Sequence, residues 1–225
     1  MPRLFRRREV WWPTWQGMLL LLALLALLLV AAGRGAYAFL ALQAPAHGAD
    51  GRGARTLVVE GWLDTAELAQ AAEALRRGRY ERVLTTGGPI DAAFDPAGWK
   101  TYAERAASVL RASGIEGVPV IALPAPPGLR DRTYRSALEV RAWAARSGAA
   151  LDAVDVYTAG VHARRSRWLF REALGERVDV GVLAALPDGG DAQRWWTSSE
   201  FTKLTLGEGL SLAWTWCCFW PDPPP

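Results

Sequence analysis

Four short stretches of this chain carry side chains suited to binding and moving charged groups. Glu60 follows an apolar run in "LVVEGW", and Thr86, Gly87 and Gly88 follow a second in "TTGGP". Arg132, Thr133 and Ser136 stand in "RTYRSALE", and His162 with Arg165 opens "HARRSRWLF". A histidine and a guanidinium in the first turn of a helix sit beside unpaired backbone N–H groups and a positive dipole, a combination suited to a phosphate or carboxylate. The same dipole favours the neutral imidazole, which is able to accept a proton. Thr133 and Arg132 form a second donor cluster at a helix start, and the Gly87-Gly88 backbone is open to a close ligand approach, with the Thr85 and Thr86 hydroxyls beside it. Glu60, at the end of an apolar strand, and Glu104, inside a helical run, are the carboxylates available to complete such a site.

Other chemistries lack their residues. There is no GxGxxG, no GxxxxGK[ST] and no GxSxG, so dinucleotide, phosphate-loop and serine-elbow patterns are missing. No His/Cys/Asp/Glu group has zinc spacing, so no metal is expected. The net charge of +3 over 225 residues is spread along the chain without a basic stripe, which argues against a nucleic-acid groove. The other histidine, His47, is expected to be solvated in a linker. Cys217 and Cys218 are adjacent, and neighbouring cysteines rarely close a ring with acceptable geometry, so no disulfide framework is expected.

These residues need a scaffold, and the hydrophobic pattern supplies one. Helical spacing covers Thr65–Arg77, Pro96–Ser113, Thr133–Ser147 and His162–Leu174, each ending at a glycine suited to a left-handed cap. Short apolar runs lie between and around them at Thr56–Val59, Arg82–Thr85, Val118–Leu123, Val154–Thr158 and Val178–Ala184. Alternating strand and helix predicts an α/β domain with a Rossmann-like, doubly wound, mainly parallel sheet of about five strands. Ligands in such sheets bind outside the carboxyl ends of the strands, where all four polar stretches fall. Asp64 with Glu67 predicts a capping box, and Asp95 before Pro96 predicts a second helix start. On the helix from His162, the stripe of Arg164, Arg167 and Arg171 is expected to face solvent.

Residues 18–32 are uninterruptedly apolar, and with the continuation to Leu42 the segment 17–42 is long enough to cross a roughly 30 Å hydrocarbon layer. Arg3, Arg6, Arg7 and Arg8, followed by Trp11, Trp12 and Trp15, predict an uncleaved plasma-membrane anchor with the N-terminal flank, residues 1–16, cytoplasmic and the domain outside. The competing reading is a signal peptide cleaved at Ala36-Tyr37-Ala38. Residues 43–55 read as a linker, 56–186 as the domain, and 187–225 as a Trp-rich helix with a disordered Pro-rich end. Leu210–Trp220 is too short to span a bilayer and is either a packed core helix or an interfacial segment.

Taken in order, "LVVEGW", "TTGGP", "TYAERAASVLRASGI", "RTYRSALEVRAW" and "YTAGVHARRSRWLFREALG" resemble the motifs of the SanA/YdcF/ElyC family of bacterial envelope proteins, over roughly residues 56–182. The resemblance places Gly87 and Gly88 on that family's Gly-Gly turn, Glu104 on its acid, Thr133 on its threonine, and His162 with Arg165 on its last motif. Ser136 stands where the family often has asparagine, and Glu60 with Trp62 replaces a glycine-rich first turn, which marks a divergent branch. The resemblance implies a role in the cell envelope and peptidoglycan precursor metabolism, without a settled reaction or cofactor. The resulting expectation is a membrane-anchored protein that binds or processes a phosphate-bearing, lipid-linked cell-wall precursor. His162 would be the acid/base, Arg132 and Arg165 would hold phosphate charge, and Glu60 or Glu104 would orient the histidine. The alternatives are a nucleotide or S-adenosylmethionine binding module, and a non-catalytic scaffold recruiting envelope-assembly proteins.

Overall fold

The structure, a computed structural model, describes residues 12–48, 51–91, 98–128, 130–186 and 192–221. Its elements alternate: α1 (Trp15–Leu40), β1 (Thr56–Glu60), α2 (Thr65–Arg77), β2 (Arg82–Gly87), α3 (Tyr102–Ala112), β3 (Val120–Pro124), α4 (Arg132–Ser147), β4 (Ala153–Ala159), α5 (Ala163–Leu174), β5 (Asp179–Ala185) and α6 (Ser199–Cys218). All strand pairs are parallel, in the order β3-β2-β1-β4-β5. This is the expected Rossmann-like doubly wound sheet. Strand order reverses between β1 and β4, so the crevice that such folds use for ligands opens above the ends of those two strands.

The valine-rich strands are buried on both faces, as a parallel sheet requires. Val58, Leu84, Val156 and Val182 pack against Ala137 and Val140 of α4 and Leu169, Phe170 and Ala173 of α5. Leu57, Val59, Val83 and Tyr157 pack against Leu68, Ala72 and Leu75 of α2 and Ala106 and Leu110 of α3. Residues of even and odd number therefore take opposite faces of β1, β2 and β4, the period-2 consequence of a strand backbone.

Local signals account for most boundaries. Asp64 and Glu67 form the reciprocal capping box. Gly148 ends α4 in the left-handed region at φ 66°. Gly78 does not: its φ is −80°, and a Cβ there would meet the Tyr80 ring at 2.3 Å, so close packing selects glycine. The third helix starts at Tyr102, later than Pro96, because Thr101 supplies the cap by accepting from the Glu104 backbone N–H. Asp95 and Pro96 lie outside the described residues, as do the last four, 222–225, of the Pro-rich end.

The stretch after α1 is bound to the sheet and is no free linker. Gln43 exchanges two hydrogen bonds with the Ala184 backbone, Ala44 forms an antiparallel bridge with Val182, and Ala46 N–H donates to Asp155 Oδ1 at 2.7 Å. Asp179 Oδ2 accepts from the backbone N–H groups of His47 and Gly48. β5 is the sheet edge, and this pairing covers backbone groups that would otherwise be open. Gly181 makes the approach possible, since a Cβ there would stand 2.0 Å from the Ala46 nitrogen.

By contacts the chain divides into two compact units, Met1–Gly35 and Ala36–Pro225. The second includes the last turn of α1, whose Tyr37 and Leu40 are buried with Val161, Trp195 and Leu212. The first holds the apolar part of α1, which has the length and composition of a membrane span or a signal sequence. At the other end of the chain Cys217 and Cys218 are joined as a disulfide, against expectation, where α6 gives way to an extended Phe219. The bridge ties neighbours alone and links no distant elements.

Candidate functional site

A cavity of about 400 Å³ opens at the carboxyl ends of the strands, lined by Glu60, Trp62, Gly87, Gly88, Tyr102, Arg132, Thr133, Ser136, His162 and Arg165. Eight of these ten were singled out from the sequence as site residues, Trp62 was noted only as part of the altered first turn, and Tyr102 was not foreseen. Arg165 and Tyr102 complete the wall from the α5 and α3 sides. The cavity lies at the β1/β4 reversal, where the fold places it.

Glu60 is the floor. Its side chain is 1% exposed, and Ser166 Oγ donates to its Oε2 at 2.8 Å. In the sheet register Glu60 pairs with Thr86, and Thr158 stands one position beyond the last β1–β4 pair, Val59 with Tyr157. Parallel partners point the same way, so Thr86, Glu60 and Thr158 form a polar row across three central strands. The Thr86 and Thr158 hydroxyls are buried with no hydrogen-bond partner among the described residues. Buried hydroxyls in native proteins are normally paired, which makes this row the least satisfied part of the core. Thr85 points to the other face and is committed to the Ala103 carbonyl at 2.8 Å.

His162 ends the short 3₁₀ turn Gly160–His162 that leads into α5. Its ring lies edge-on to Trp62 at 4.7 Å. Nδ1 is 2.9 Å from Glu208 Oε1 and 3.3 Å from Arg165 Nη2. A carboxylate accepts and never donates, so Nδ1 carries a proton toward Glu208, and Nε2 is the nitrogen left for other partners. A carboxylate that fixes the tautomer and turns the other nitrogen outward is the arrangement by which histidines are prepared for proton transfer.

Glu208 was not among the residues foreseen. It comes from α6, which packs on α5, and its oxygens also accept from Arg165 Nε at 2.8 Å and Nη2 at 2.9 Å. Burial works to raise its carboxyl, but the hydrogen bonds from His162 and Arg165, and their charges, outweigh this and hold it at about 2. For Arg165 burial works against the charge, while Glu208 and, further off, Glu60 raise it. Arg165 is thus the bidentate partner of Glu208 and is not a free cation.

That cation is Arg132, which makes no hydrogen bond or ion pair among the described residues and lines the cavity beside Thr133. The amino end of α4 is unusual: Asp131 sits at the cap in the left-handed region, φ 55°, and its side chain makes no capping bond. The first-turn N–H groups of α4 therefore lack their usual side-chain acceptor. A non-glycine residue held in that region is a strained position of the kind found at binding sites.

Gly87 lines the cavity, and packing also requires a glycine there, since at φ 148° a Cβ would stand 2.6 Å from the Tyr102 Cβ. Two expectations need correction. Glu104 is held in the α3 cap, where it accepts from Thr101 Oγ1 at 3.0 Å, and it does not line the cavity. In the arginine stripe of α5, Arg164 donates to the Phe39 carbonyl and lies over its ring, and Arg167 donates to the Val180 carbonyl at 2.7 Å. Two of the three are structural, because long side chains reach polar backbone at the sheet edge and helix end. Among the described residues no group of three or more potential ligands could hold a metal ion.

Fold and site together define an α/β protein with a polar, strand-end cavity containing a carboxylate-oriented histidine and an uncapped helix amino end. No protein-family model matches the chain, and no curated protein does so either.

Proposed function

We propose that this chain is a membrane-anchored envelope protein that binds and processes a phosphate-bearing, lipid-linked cell-wall precursor. The observation that carries the reading is the meeting, in one cavity, of Arg132 at the uncapped start of α4 with His162 held by Glu208. Arg132 and the α4 N–H groups take the phosphate oxygens, which helix amino ends and guanidinium groups suit. His162 Nε2 takes or gives a proton at the adjoining bond. Glu60, on the floor, accepts from a hydroxyl of the ligand. The motif likeness to the SanA/YdcF/ElyC family supports the same assignment for Thr133 and His162.

Retention of α1 as the anchor has its own support. Cleavage after Ala38 would remove Tyr37 from the domain core, where it is 8% exposed, and would leave a new terminus next to Phe39 and Leu40. A signal segment that ends inside the folded core is poorly placed for removal. Four arginines before the apolar run favour a cytoplasmic amino end and an external domain.

The test uses the full chain in nanodiscs, with a polyprenyl phosphate, the matching polyprenol and inorganic phosphate as probes. Binding of the polyprenyl phosphate, lost in Arg132→Ala and kept in His162→Ala, is the expected result. Equal binding of the phosphate and the alcohol, or none of either, overturns the reading.

A further inference from the structure

Helix α6 is built inside out. Its buried positions are Thr205, Glu208, Leu212 and Thr215, so a charge and two hydroxyls face the protein. Its exposed positions include Leu204, Leu206, Leu210, Trp214 and Trp216, with Leu210 74% exposed and the two tryptophans 52% and 54%. A water-facing helix has the opposite arrangement, with the polar stripe outside. From Leu204 to Trp220 the one charged residue is Glu208, and it is turned inward to His162 and Arg165. The charges that do face outward, Glu200 and Lys203, are confined to the first turns.

We infer that the outer face of α6 lies in the headgroup and upper acyl region of the bilayer that holds α1, so that one side of the helix completes the polar site while the other contacts lipid. This rests on the anchor reading above. Three observations favour lipid over a protein partner. The chain carries its own helix of membrane-span length. The last turn of α1, from Ala36 on, belongs to the same compact unit as α6, with Tyr37 and Leu40 buried against Leu212. The outer face is dominated by leucine and tryptophan, and tryptophan is the side chain most enriched at the membrane–water boundary. Its uncharged surface would be costly in water and is suited to lipid, since the one charge of this stretch, Glu208, is already paired within the protein.

The placement has a consequence for the site. A second cavity, about 430 Å³, is lined by Arg132, Thr133 and Arg165 together with Leu210, Trp214 and Phe219. It shares its polar wall with the first cavity, and its apolar wall belongs to the lipid-facing helix, which gives a ligand with a charged head and an apolar tail a route between bilayer and site.

The experiment uses the full chain in phosphatidylcholine/phosphatidylglycerol vesicles, in a Cys217→Ser, Cys218→Ser background. A single environment-sensitive fluorophore is attached at Leu210→Cys, Leu206→Cys, Leu25→Cys or Glu176→Cys, and quenched by doxyl-labelled lipid or by aqueous iodide. Lipid quenching with a blue-shifted emission at 206, 210 and 25, and iodide quenching at 176, is the expected result. Iodide quenching at 206 and 210 with lipid quenching at 25 overturns the inference and leaves the anchor standing. Shielding of 206 and 210 from both quenchers also overturns it, since a protein then covers the face. Iodide quenching at 25 sinks the anchor reading and the inference with it.

Discussion

Replacing Glu208 by glutamine tests the centre of the site. Glutamine is nearly isosteric with the protonated acid, so the change removes the charge and leaves the shape. Contact with His162 and Arg165, against the opposing cost of burial, lowers the Glu208 carboxyl from its usual 4.5 to about 2. That difference corresponds to roughly 3 kcal/mol favouring the charged form in the folded protein. A group whose folded-state value is depressed contributes stability that is complete above its unfolded value and disappears as pH falls through the folded one. Wild-type protein should therefore lose about 3 kcal/mol between pH 4.5 and 2 from this group, while Glu208→Gln lacks the contribution at pH 7 and has a flatter acid limb. Urea unfolding of the full chain in detergent micelles, followed by tryptophan emission at a series of pH values, measures both. A variant within about 0.5 kcal/mol of wild type at pH 7, the range of ordinary surface changes, would refute the argument, as would an unchanged acid limb. Nitrogen-15 NMR adds a second check: the wild-type ring should be the Nδ1–H tautomer, and the variant a mixture.

Other outcomes follow from the same contacts. Ser166→Ala removes the donor to buried Glu60 and should cost about 1–3 kcal/mol in the same unfolding assay, with Glu60→Gln partly restoring stability in the double variant. Asp155→Ala strips the acceptor from Tyr80 Oη and Ala46 N–H, so amide exchange at residues 44–48 should accelerate while that of β1 stays slow. Gly181→Ala should disrupt the same pairing more severely, because its Cβ has no space between Ala46 and Asp155, and limited proteolysis should then cut near residue 45. Arg132→Ala should leave the unfolding midpoint unchanged and abolish phosphate-ligand binding, since this exposed side chain has no partner among the described residues to lose.

The fold was legible because its determinants are local and periodic. The glycine-punctuated helical runs and the valine-rich strands set the element order, and chirality plus parallel pairing left few arrangements for them. The polar ends of β1, β2 and β4 were legible as a site for the same reason, since a strand's end is fixed once the strand is. What escaped depends on contacts distant in sequence. Glu104 matches a motif position, yet three residues after Thr101 it is more simply the partner of a helix cap. The residues between α1 and β1 show no periodicity, and their bonds to Asp155 and Asp179 join positions more than 100 apart in the chain.

Glu208 is the instructive omission. It lies 46 positions from His162 with no shared motif, and an apolar, tryptophan-rich tail offers no reason to look there for a site residue. A signal was nonetheless present: one acid in a 17-residue uncharged run, Leu204–Trp220, cannot face lipid or an apolar core without a partner. Its partner had to be a cation or a donor, and the arginine and histidine at the start of α5 are that pair, because Glu104 is held by its own helix cap and Glu60 by Ser166. Charge balance across distant elements would have linked the tail to the site, and it also explains why α6 turns its polar side inward and its leucines outward.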